Sequence, residues 1–445
     1  MKEVTSKFTV STHYDRRLFE YDIAGSIAHA KMLGKQAIIT QEEASEIADG
    51  LAQVRKEIRD DTFPWREELE DVHMNIERRL HEKIGEVAGK LHTARSRNDQ
   101  IALDMRMYAK DAITQTLGKL AGLRRTFVKR AEKSLDVILP GYTHVQRGQP
   151  VLFAHHMLAY FEMFSRDVER FQQVYQRADV MPLGSGALAG SPYPLDREFV
   201  AKELGFSKVS ANSMDAVSDR DFLLDLHAAA ATCTVHLSRL AEELVLWSSA
   251  EFGFIGMAEE FTTGSSLMPQ KRNPDFAELV RGRSGKIFGN LIGLLTMLKG
   301  LPLTYNRDFQ EDKEGTFETI DTLLPCLEVS AGMVETMTLR PERMRHAAQE
   351  SYVLATDIAD YLVRKGMPFR EAHGVVSELS SHAVKQGKFF HQLPLSDYQR
   401  FSKLFDKDVL GVTVDASIAA RDVPGGTARN QVEKALVVAK QALGK

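Results

Sequence analysis

The chain has little cysteine and no long apolar run. Its 445 residues include two cysteines, Cys233 and Cys326, which are too few for a disulfide framework or a cysteine-rich zinc cluster. No stretch approaches the roughly 20 apolar residues that a membrane-spanning helix needs. The segment from Met1 to Asp22 lacks an apolar core of signal-peptide length. These absences predict a cytoplasmic protein with no membrane partner.

The charge balance is close to neutral and shows no basic stripe. Lysine and arginine number 57, aspartate and glutamate number 61, and the formal net charge is −4. A protein that binds nucleic acid usually concentrates positive charge on one face, so nucleic acid is not an expected partner. Hydrophobic residues make up 43% and charged residues 27% of the chain, as in ordinary globular proteins.

Long stretches of the sequence lack proline. None of the 14 prolines lies between Pro64 and Pro140 or between Pro194 and Pro269. Because a proline inside a helix costs about 3 kcal/mol, such gaps permit long helices. The segment from Asp221 to Phe252 also lacks glycine, and its apolar residues recur every three or four positions. This spacing predicts one long helix, whose apolar length favours packing in an oligomer.

Helical spacing recurs elsewhere, whereas strand-like alternation is scarce. Apolar residues predict a helix over Gln41–Asp60 and another after Pro150. We therefore expect an all-α fold with three helical domains, in which the central domain is a bundle of long helices. The predicted domains cover residues 1–94, 95–346 and 347–445. Loops are predicted at Pro140–Pro150, Met181–Pro194, Gly256–Pro274 and Val423–Thr427.

The segment Gly264–Pro274 combines two hydroxyls, a lysine and two prolines. A loop of this composition can close over an anion with its hydroxyls, backbone N–H groups and lysine. The alternative, favoured by composition alone, is a solvated surface loop.

The segment Leu91–Gln100 contains two arginines, two hydroxyls and an asparagine within six residues. Guanidinium groups and small polar donors suit the recognition of carboxylates. The alternative is an exposed helix start that Ser96 or Asn98 caps.

Three further segments carry chemistry only weakly when each is taken alone. Gly141–Pro150 offers His144 beside a hydroxyl, a pair that can move protons near neutral pH. The charged run Tyr305–Lys313 is more typical of a solvated helix face. Pro182–Gly190 superficially resembles a dinucleotide loop, but it lacks a preceding strand and a βαβ context.

Together these segments resemble the fumarase/aspartase superfamily and, within it, the argininosuccinate lyases. Gly264–Pro274 is similar to the signature loop of the superfamily. The lyase is indicated by Arg95–Gln100, Asp215–Phe222, Tyr305–Lys313 and the N-terminal Tyr21–Ala30. The resemblance runs from Arg17 to Thr427. Ala94, Gly148 and Arg429 depart from it, since glycine, alanine and proline are usual there.

The resemblance implies a cofactor-free and metal-free homotetramer with a central helical bundle and active sites shared between chains. It implies the β-elimination of argininosuccinate to arginine and fumarate, the last step of arginine biosynthesis. Ser265 is implied as the base, Lys271 as a stabiliser of negative charge, and His144 paired with Glu278 as the group that organises proton transfer. Implied substrate contacts are Ser26, Arg95, Ser96, Arg97, Asn98, Thr143, Arg220, Asn273, Tyr305, Gln310 and Lys313.

Two other interpretations stay open at this point. Another enzyme of the superfamily, such as adenylosuccinate lyase, fumarase or aspartase, would share the signature loop. A non-catalytic homologue, as some lens crystallins are, would share the fold. Retention of Ser265, His144, Lys271 and Arg97 speaks against the second interpretation.

Overall fold

The computed structural model describes residues 8–444. The first seven residues, on which the expected lack of a signal peptide partly rests, lie outside the described residues. Contacts divide the chain into two compact units. The first comprises Met1–Gly118, Asp167–Val235 and Arg283–Pro325, and the second comprises Lys119–Arg166, His236–Gly282 and Cys326–Lys445. The three-domain division expected from the sequence stays a prediction.

The fold is mostly helical, as predicted. Among the described residues, five helices have 24 residues or more, and each division between the two units falls inside one of them. They are Arg97–Glu132, Phe153–Ala178, Asp221–Ser248, Asp275–Leu298 and Asp312–Thr336. None of the described helices has the length and apolar character needed to cross a membrane.

The first unit also contains the shorter N-terminal helices Thr12–Asp15, Phe19–Lys35, Gln41–Arg59 and Val72–Ile84, and later Arg197–Glu203 and Ser213–Ser218. The predicted Gln41 helix begins at a capping box, because Thr40 Oγ1 accepts from Glu43 N–H while the Glu43 carboxylate accepts from Thr40 N–H. Its apolar residues face the core, with Ile47, Leu51 and Val54 fully buried. A short parallel pair joins Val180–Met181 to Lys208–Val209.

The second unit contains Pro341–Gln349, Ala355–Arg364, Phe369–Lys385, Leu395–Gln399, Val414–Ala419 and Arg429–Leu443 as further helices. Three small antiparallel pairs accompany them: Ile138–Thr143 with Gln146–Leu152, Ile255–Gly256 with Thr338–Leu339, and Thr263–Gly264 with Arg272–Asn273.

Two details of the predicted layout were wrong. The segment Pro140–Pro150 is a β-hairpin rather than a loop, because its prolines and glycines lie at an irregular two-stranded pairing that their composition does not reveal. The helix expected to reach Phe252 ends at Ser248, where the chain turns and Gly253 adopts a φ of +60°.

The predicted apolar stripe of the Asp221–Ser248 helix is buried within the chain itself. Its members range from 0% exposed at Cys233 and Leu237 to 4% at Ala229. The stripe therefore leaves no apolar surface for another subunit, and the reason first given for an oligomer was wrong.

Candidate active site

The arginine-rich segment lies at the N-terminal end of the Arg97–Glu132 helix, in the first unit. The Ser96 hydroxyl accepts a hydrogen bond of 3.3 Å from Asn98 N–H, and the Asp99 carboxylate accepts one of 3.0 Å from Ser96 N–H. The helix start is therefore capped, as the alternative interpretation expected. Capping and anion binding are compatible, because free N–H groups and the helix dipole favour negative charge at this end.

Glu77 holds the two arginines of this segment. Its carboxylate lies 3.3 Å from Arg95 Nη2 and 3.2 Å from Arg97 Nη1. Burial acts to raise the pKa of Glu77, but the hydrogen bond from His92 and the two guanidiniums outweigh it and lower the pKa to about 2. Arg95 also donates to Ser26 Oγ at 2.7 Å. The guanidinium groups of Arg95 and Arg97 are thereby both held in place beside the Glu77 carboxylate.

The Pro182–Gly190 segment supports this helix start. Asp99 accepts hydrogen bonds from the N–H groups of Gly184 at 3.0 Å and Gly186 at 2.8 Å, and Asn98 donates to Ala187 O at 3.1 Å. Both glycines have a positive φ, +91° at Gly184 and +62° at Gly186, a backbone conformation that residues with a side chain rarely adopt. The segment's glycines thus serve the tight turn that brings its N–H groups to Asp99.

Arg220, a predicted substrate contact, is buried in the first unit. Its guanidinium pairs with Asp312 and lies over the Phe309 ring, 4.7 Å from the centroid. Lys313 is buried beside it and donates to Asp312 Oδ1 at 2.9 Å. Asp312 is therefore paired with two predicted substrate-binding cations at once, and its single negative charge leaves the group with a net positive charge.

The neighbouring Tyr305 and Gln310 lie on the same stretch of chain. Tyr305 packs against Phe309 with ring centroids 5.8 Å apart. Gln310 Nε2 donates to Thr9 O at 3.2 Å. Burial raises the pKa of Tyr305, so its hydroxyl stays protonated and can donate a hydrogen bond.

His144 lies at the tip of the Ile138–Leu152 hairpin, in the second unit. Thr143 pairs with Gln146, which leaves His144 and Val145 as the two turn residues, with φ of +53° and +58°. Two-residue turns with positive φ at both positions usually carry Asn-Gly. The Arg147 side chain anchors the hairpin by donating 2.9 Å hydrogen bonds to the carbonyls of Ala347 and Glu350. The exposed imidazole of His144 therefore lies on a strained turn, at the tip of a hairpin that Arg147 anchors.

Ser265 lies in a loop whose ends are joined by the pairing of Thr263–Gly264 with Arg272–Asn273. Its Oγ accepts hydrogen bonds from Met268 N–H at 3.0 Å and from Leu267 N–H at 3.3 Å. Donors of this kind favour an anionic oxygen over a neutral hydroxyl. The loop thus supplies the amide donors that a serine needs in order to act as a base.

Three other predicted site residues lie on this loop or shortly after it. Lys271 and Glu278 are exposed, and Asn273 is half-buried. Within residues 8–444, no side-chain hydrogen bond or ion pair joins His144 to Ser265, Lys271 or Glu278. The structure therefore places these groups in one unit without bringing them together in pairs.

Sequence reasoning missed a buried polar group behind the two arginines. Gln100 Oε1 accepts from Arg97 Nη1 at 2.7 Å, and Gln100 Nε2 donates to Asp22. Asp22 in turn accepts from His73 Nδ1 at 3.0 Å. The sequence offers one signal: Gln100 follows Arg97 by about one helical turn. Asp22 and His73 come from distant segments.

One group among the described residues has the spacing of metal ligands. Donor atoms of Asp22, His73 and Asp104 lie within 4.8 Å of one another. However, Arg95 and Arg97 already act on both carboxylates, and His73 donates its Nδ1 proton to Asp22. Since histidine and arginine side chains already supply the positive charge beside these acidic groups, we assign the group to a network of ion pairs and hydrogen bonds rather than to a metal.

Comparisons with known proteins cover nearly the whole chain. A sequence family described as Lyase matches residues 2–289, and one described as Argininosuccinate lyase C-terminal matches residues 352–419. The argininosuccinate lyase of Dehalococcoides mccartyi is 54% identical over 441 residues, which is 99% of this chain and 96% of that protein. The argininosuccinate lyase of Symbiobacterium thermophilum is 52% identical over 439 residues, covering 98% and 95% respectively.

A solved structure shows the same fold. EDDS lyase in complex with formate superimposes with a TM-score of 0.87 at 30% sequence identity, and the match covers 96% of this chain and 86% of that chain.

Proposed function

Because the chain belongs to the argininosuccinate lyase family of the fumarase/aspartase superfamily, we propose that it catalyses the reversible elimination of L-argininosuccinate to L-arginine and fumarate. This reaction is the last step of arginine biosynthesis. The observation that carries the proposal is the similarity over nearly the full length to proteins with this named activity.

The chemistry requires a stabilised carbanion. A base removes a proton from the carbon beside one succinyl carboxylate, and the electron pair spreads into that carboxylate as a doubly charged aci form. The electrons then return to form the double bond of fumarate as the C–N bond to arginine breaks. Fixed positive charge and N–H donors lower the barrier by stabilising the charged intermediate.

We assign the base to Ser265. An ordinary serine hydroxyl is too weakly acidic for this role, but the N–H groups of Leu267 and Met268 stabilise its oxygen as an anion. Lys271 on the same loop supplies positive charge for the base and the aci-carboxylate, and Asn273 contacts the substrate.

His144 and Glu278 organise the transfer of the proton to the departing nitrogen. An imidazole can both accept and donate a proton, and a carboxylate partner fixes its orientation. Since no side-chain hydrogen bond or ion pair joins His144 to Glu278 within the described chain, we propose that these two residues meet across subunits.

The succinyl carboxylates bind at the start of the Arg97–Glu132 helix. Arg97 is the better-placed fork, because its side chain is 25% exposed whereas that of Arg95 is 1% exposed. Ser96, Asn98 and Thr143 add small polar donors. We place the remaining predicted contacts around the rest of the substrate: Ser26, Arg220, Tyr305, Gln310 and Lys313. The buried cations Arg220 and Lys313 act there mainly through their positive charge and by positioning neighbouring groups.

We propose that the chain forms a cytoplasmic homotetramer whose central core is a helical bundle. The Asp275–Leu298 helix supports this proposal, because Phe288, Ile292 and Leu295 lie on one of its faces and are 36%, 63% and 48% exposed. Contiguous apolar surface of this kind is rarely left in water. Each active site would combine the regions around Arg97, His144 and Ser265 from three chains.

The test is the release of fumarate from argininosuccinate by the purified protein, followed by ultraviolet absorbance. Adenylosuccinate, malate and aspartate serve as alternative substrates, and parallel samples are dialysed against a strong chelator. We expect turnover of argininosuccinate alone, unchanged by the chelator. Turnover of another substrate would move the chain elsewhere in the superfamily, no turnover would make it a non-catalytic homologue, and activity restored by a divalent ion would contradict the metal-free mechanism.

A further inference from the structure

Three buried side chains from three helices meet behind the arginines. Asp22 lies on Phe19–Lys35, His73 on Val72–Ile84 and Asp104 on Arg97–Glu132. The exposed fraction of each is 1% or less. His73 Nδ1 is 3.0 Å from Asp22 Oδ1 and 3.6 Å from Asp104 Oδ2. One ring nitrogen thus faces two carboxylates.

A single nitrogen cannot satisfy both carboxylates. Nδ1 carries at most one proton, and the shorter distance directs that proton to Asp22. Among the described residues, neither oxygen of Asp104 has a hydrogen-bond partner, and neither has Oδ2 of Asp22. An ionised carboxylate that is fully buried without a donor is strongly destabilising. A proton on Asp104 removes this cost, because a neutral carboxylic acid is far easier to bury than a carboxylate.

The charges around the group agree with this assignment. Burial and then the charge of Asp22 raise the pKa of Asp104 well above its usual value, against the opposing effects of His73, Arg95 and Arg97. Burial also acts to raise the pKa of Asp22, but the charge and hydrogen bond of His73 outweigh it and lower that pKa. Further groups that act on the His73 charge are Asp15, Asp71 and Arg97.

Gln100 connects the buried group to the proposed substrate site. Its Nε2 donates to Asp22 Oδ1, and its Oε1 accepts from Arg97 Nη1 at 2.7 Å. Because an ionised carboxylate can only accept, Asp22 fixes which end of the Gln100 amide faces Arg97. The Arg97 guanidinium can only donate, so it requires the same orientation, and the two charged groups fix the amide together.

We propose that Asp104 carries a proton, and that Asp22, His73 and Asp104 position the Gln100 amide and, through it, the Arg97 guanidinium. All of these act as positioning residues, since none is proposed to touch the substrate. The effect on binding rests on the proposed function, in which Arg97 binds a carboxylate. The protonation of Asp104 does not rest on it.

The protonation of Asp104 is tested without substrate. A protonated carboxylic acid has an infrared carbonyl stretch that ionised carboxylates lack. At neutral pH we expect this band in the wild-type protein and in Asp179→Asn, a control at an aspartate that is ion-paired with Lys110. The band should be absent from Asp104→Asn. A wild-type spectrum without the band, or a band that survives Asp104→Asn, would overturn the assignment.

The positioning role is tested by kinetics with argininosuccinate. Asp22→Asn and Gln100→Met should each raise KM about tenfold, with a smaller change in kcat, because uniform substrate binding is weakened. Asp104→Asn, which keeps a neutral N–H donor, should raise KM less than Asp104→Leu. Circular dichroism establishes folding, and Gln100→Met provides the answer if the buried aspartate variants do not fold.

The outcomes separate the two proposals. Folded variants with an unchanged KM would overturn the positioning role while wild-type activity upholds the proposed function. A wild-type protein that does not cleave argininosuccinate would overturn the proposed function, and with it the binding role of Arg97. The infrared result would then still decide whether Asp104 is protonated.

Discussion

The backbone N–H of Met268 donates a 3.0 Å hydrogen bond to the side-chain oxygen of Ser265. The donor lies three residues after the acceptor, so the loop itself fixes the environment of the proposed base. A donor on this oxygen stabilises the ionised form more than the neutral form.

Ser265→Ala should therefore fold normally and lose at least about 100-fold in kcat, the usual contribution of a general base. Fumarate release and circular dichroism provide the two measurements. Ser266→Ala, at the adjacent hydroxyl, is the matched control and should retain activity. A folded Ser265→Ala protein with wild-type turnover would remove Ser265 from the base role.

Lys271→Met should lower kcat more than it raises KM. The lysine is proposed to stabilise charge that grows in the transition state, and such interactions contribute to the chemical step rather than to substrate binding. Steady-state kinetics at saturating substrate separates the two effects. Lys299→Met, at another exposed lysine, is the control, and a change confined to KM would show that the role is wrong.

Two inactive variants should complement each other. If His144 and Ser265 of one site come from different chains, then His144→Asn and Ser265→Ala that are unfolded and refolded together leave roughly a quarter of sites intact. Activity should return in the mixture. Mixed tetramers, identified by mass, that stay as inactive as their parents would contradict the shared site.

Ala94 has a φ of +59°, a conformation that costs an alanine about 1 kcal/mol. Ala94→Gly should therefore raise the free energy of unfolding by up to about that amount. Denaturant unfolding measures the change. Ala52→Gly, inside the Gln41–Arg59 helix, should lower the same quantity by about 1 kcal/mol; equal signs for the two variants would refute the strain at Ala94.

The His73 ion pair should make stability depend on alkaline pH. Burial acts to lower the pKa of His73, but the Asp22 charge and hydrogen bond outweigh it and raise the pKa from 6.5 to about 9. A raised folded-state pKa contributes stability that is complete below pH 6.5 and is lost as the pH rises through about 9. The loss should be on the order of 3 kcal/mol, and Asp104 acts in the same direction.

Urea unfolding across this pH range, compared between the wild-type protein and His73→Asn, isolates the contribution of the histidine. The wild-type protein should lose more unfolding free energy with rising pH than the variant does. Parallel pH profiles would show that His73 is not an imidazolium in the folded state.

Local patterns predicted the parts of the fold that local chemistry decides. The helix that begins at Gln41 was predicted from its apolar spacing, and the residues on that spacing, such as Ile47 and Leu51, are buried. The signature loop follows from composition, since Gly264 to Pro274 offers little to a helix. The hairpin around His144 was missed because its Pro140 and Pro150 are paired residues of two short strands, whereas proline normally marks a turn.

Contacts between distant segments could not be predicted from such patterns. Asp22 and Gln100 are 78 positions apart, and Arg95 and Ser26 are 69 apart. Nothing in either segment specifies the other until the helices pack. The exposed apolar face of the Asp275–Leu298 helix, which bears Ile292, was also missed. Only the folded chain shows which apolar residues stay uncovered.

The hairpin tip has a consequence for how this segment can change in evolution. Surface turns usually absorb insertions and deletions. Here Thr143 pairs with Gln146 across a turn of only His144 and Val145, and one added or missing residue would send the histidine to the other face of the ribbon. Variants that alter chain length should therefore be tolerated elsewhere on the surface but not at these four positions, where only substitution is available.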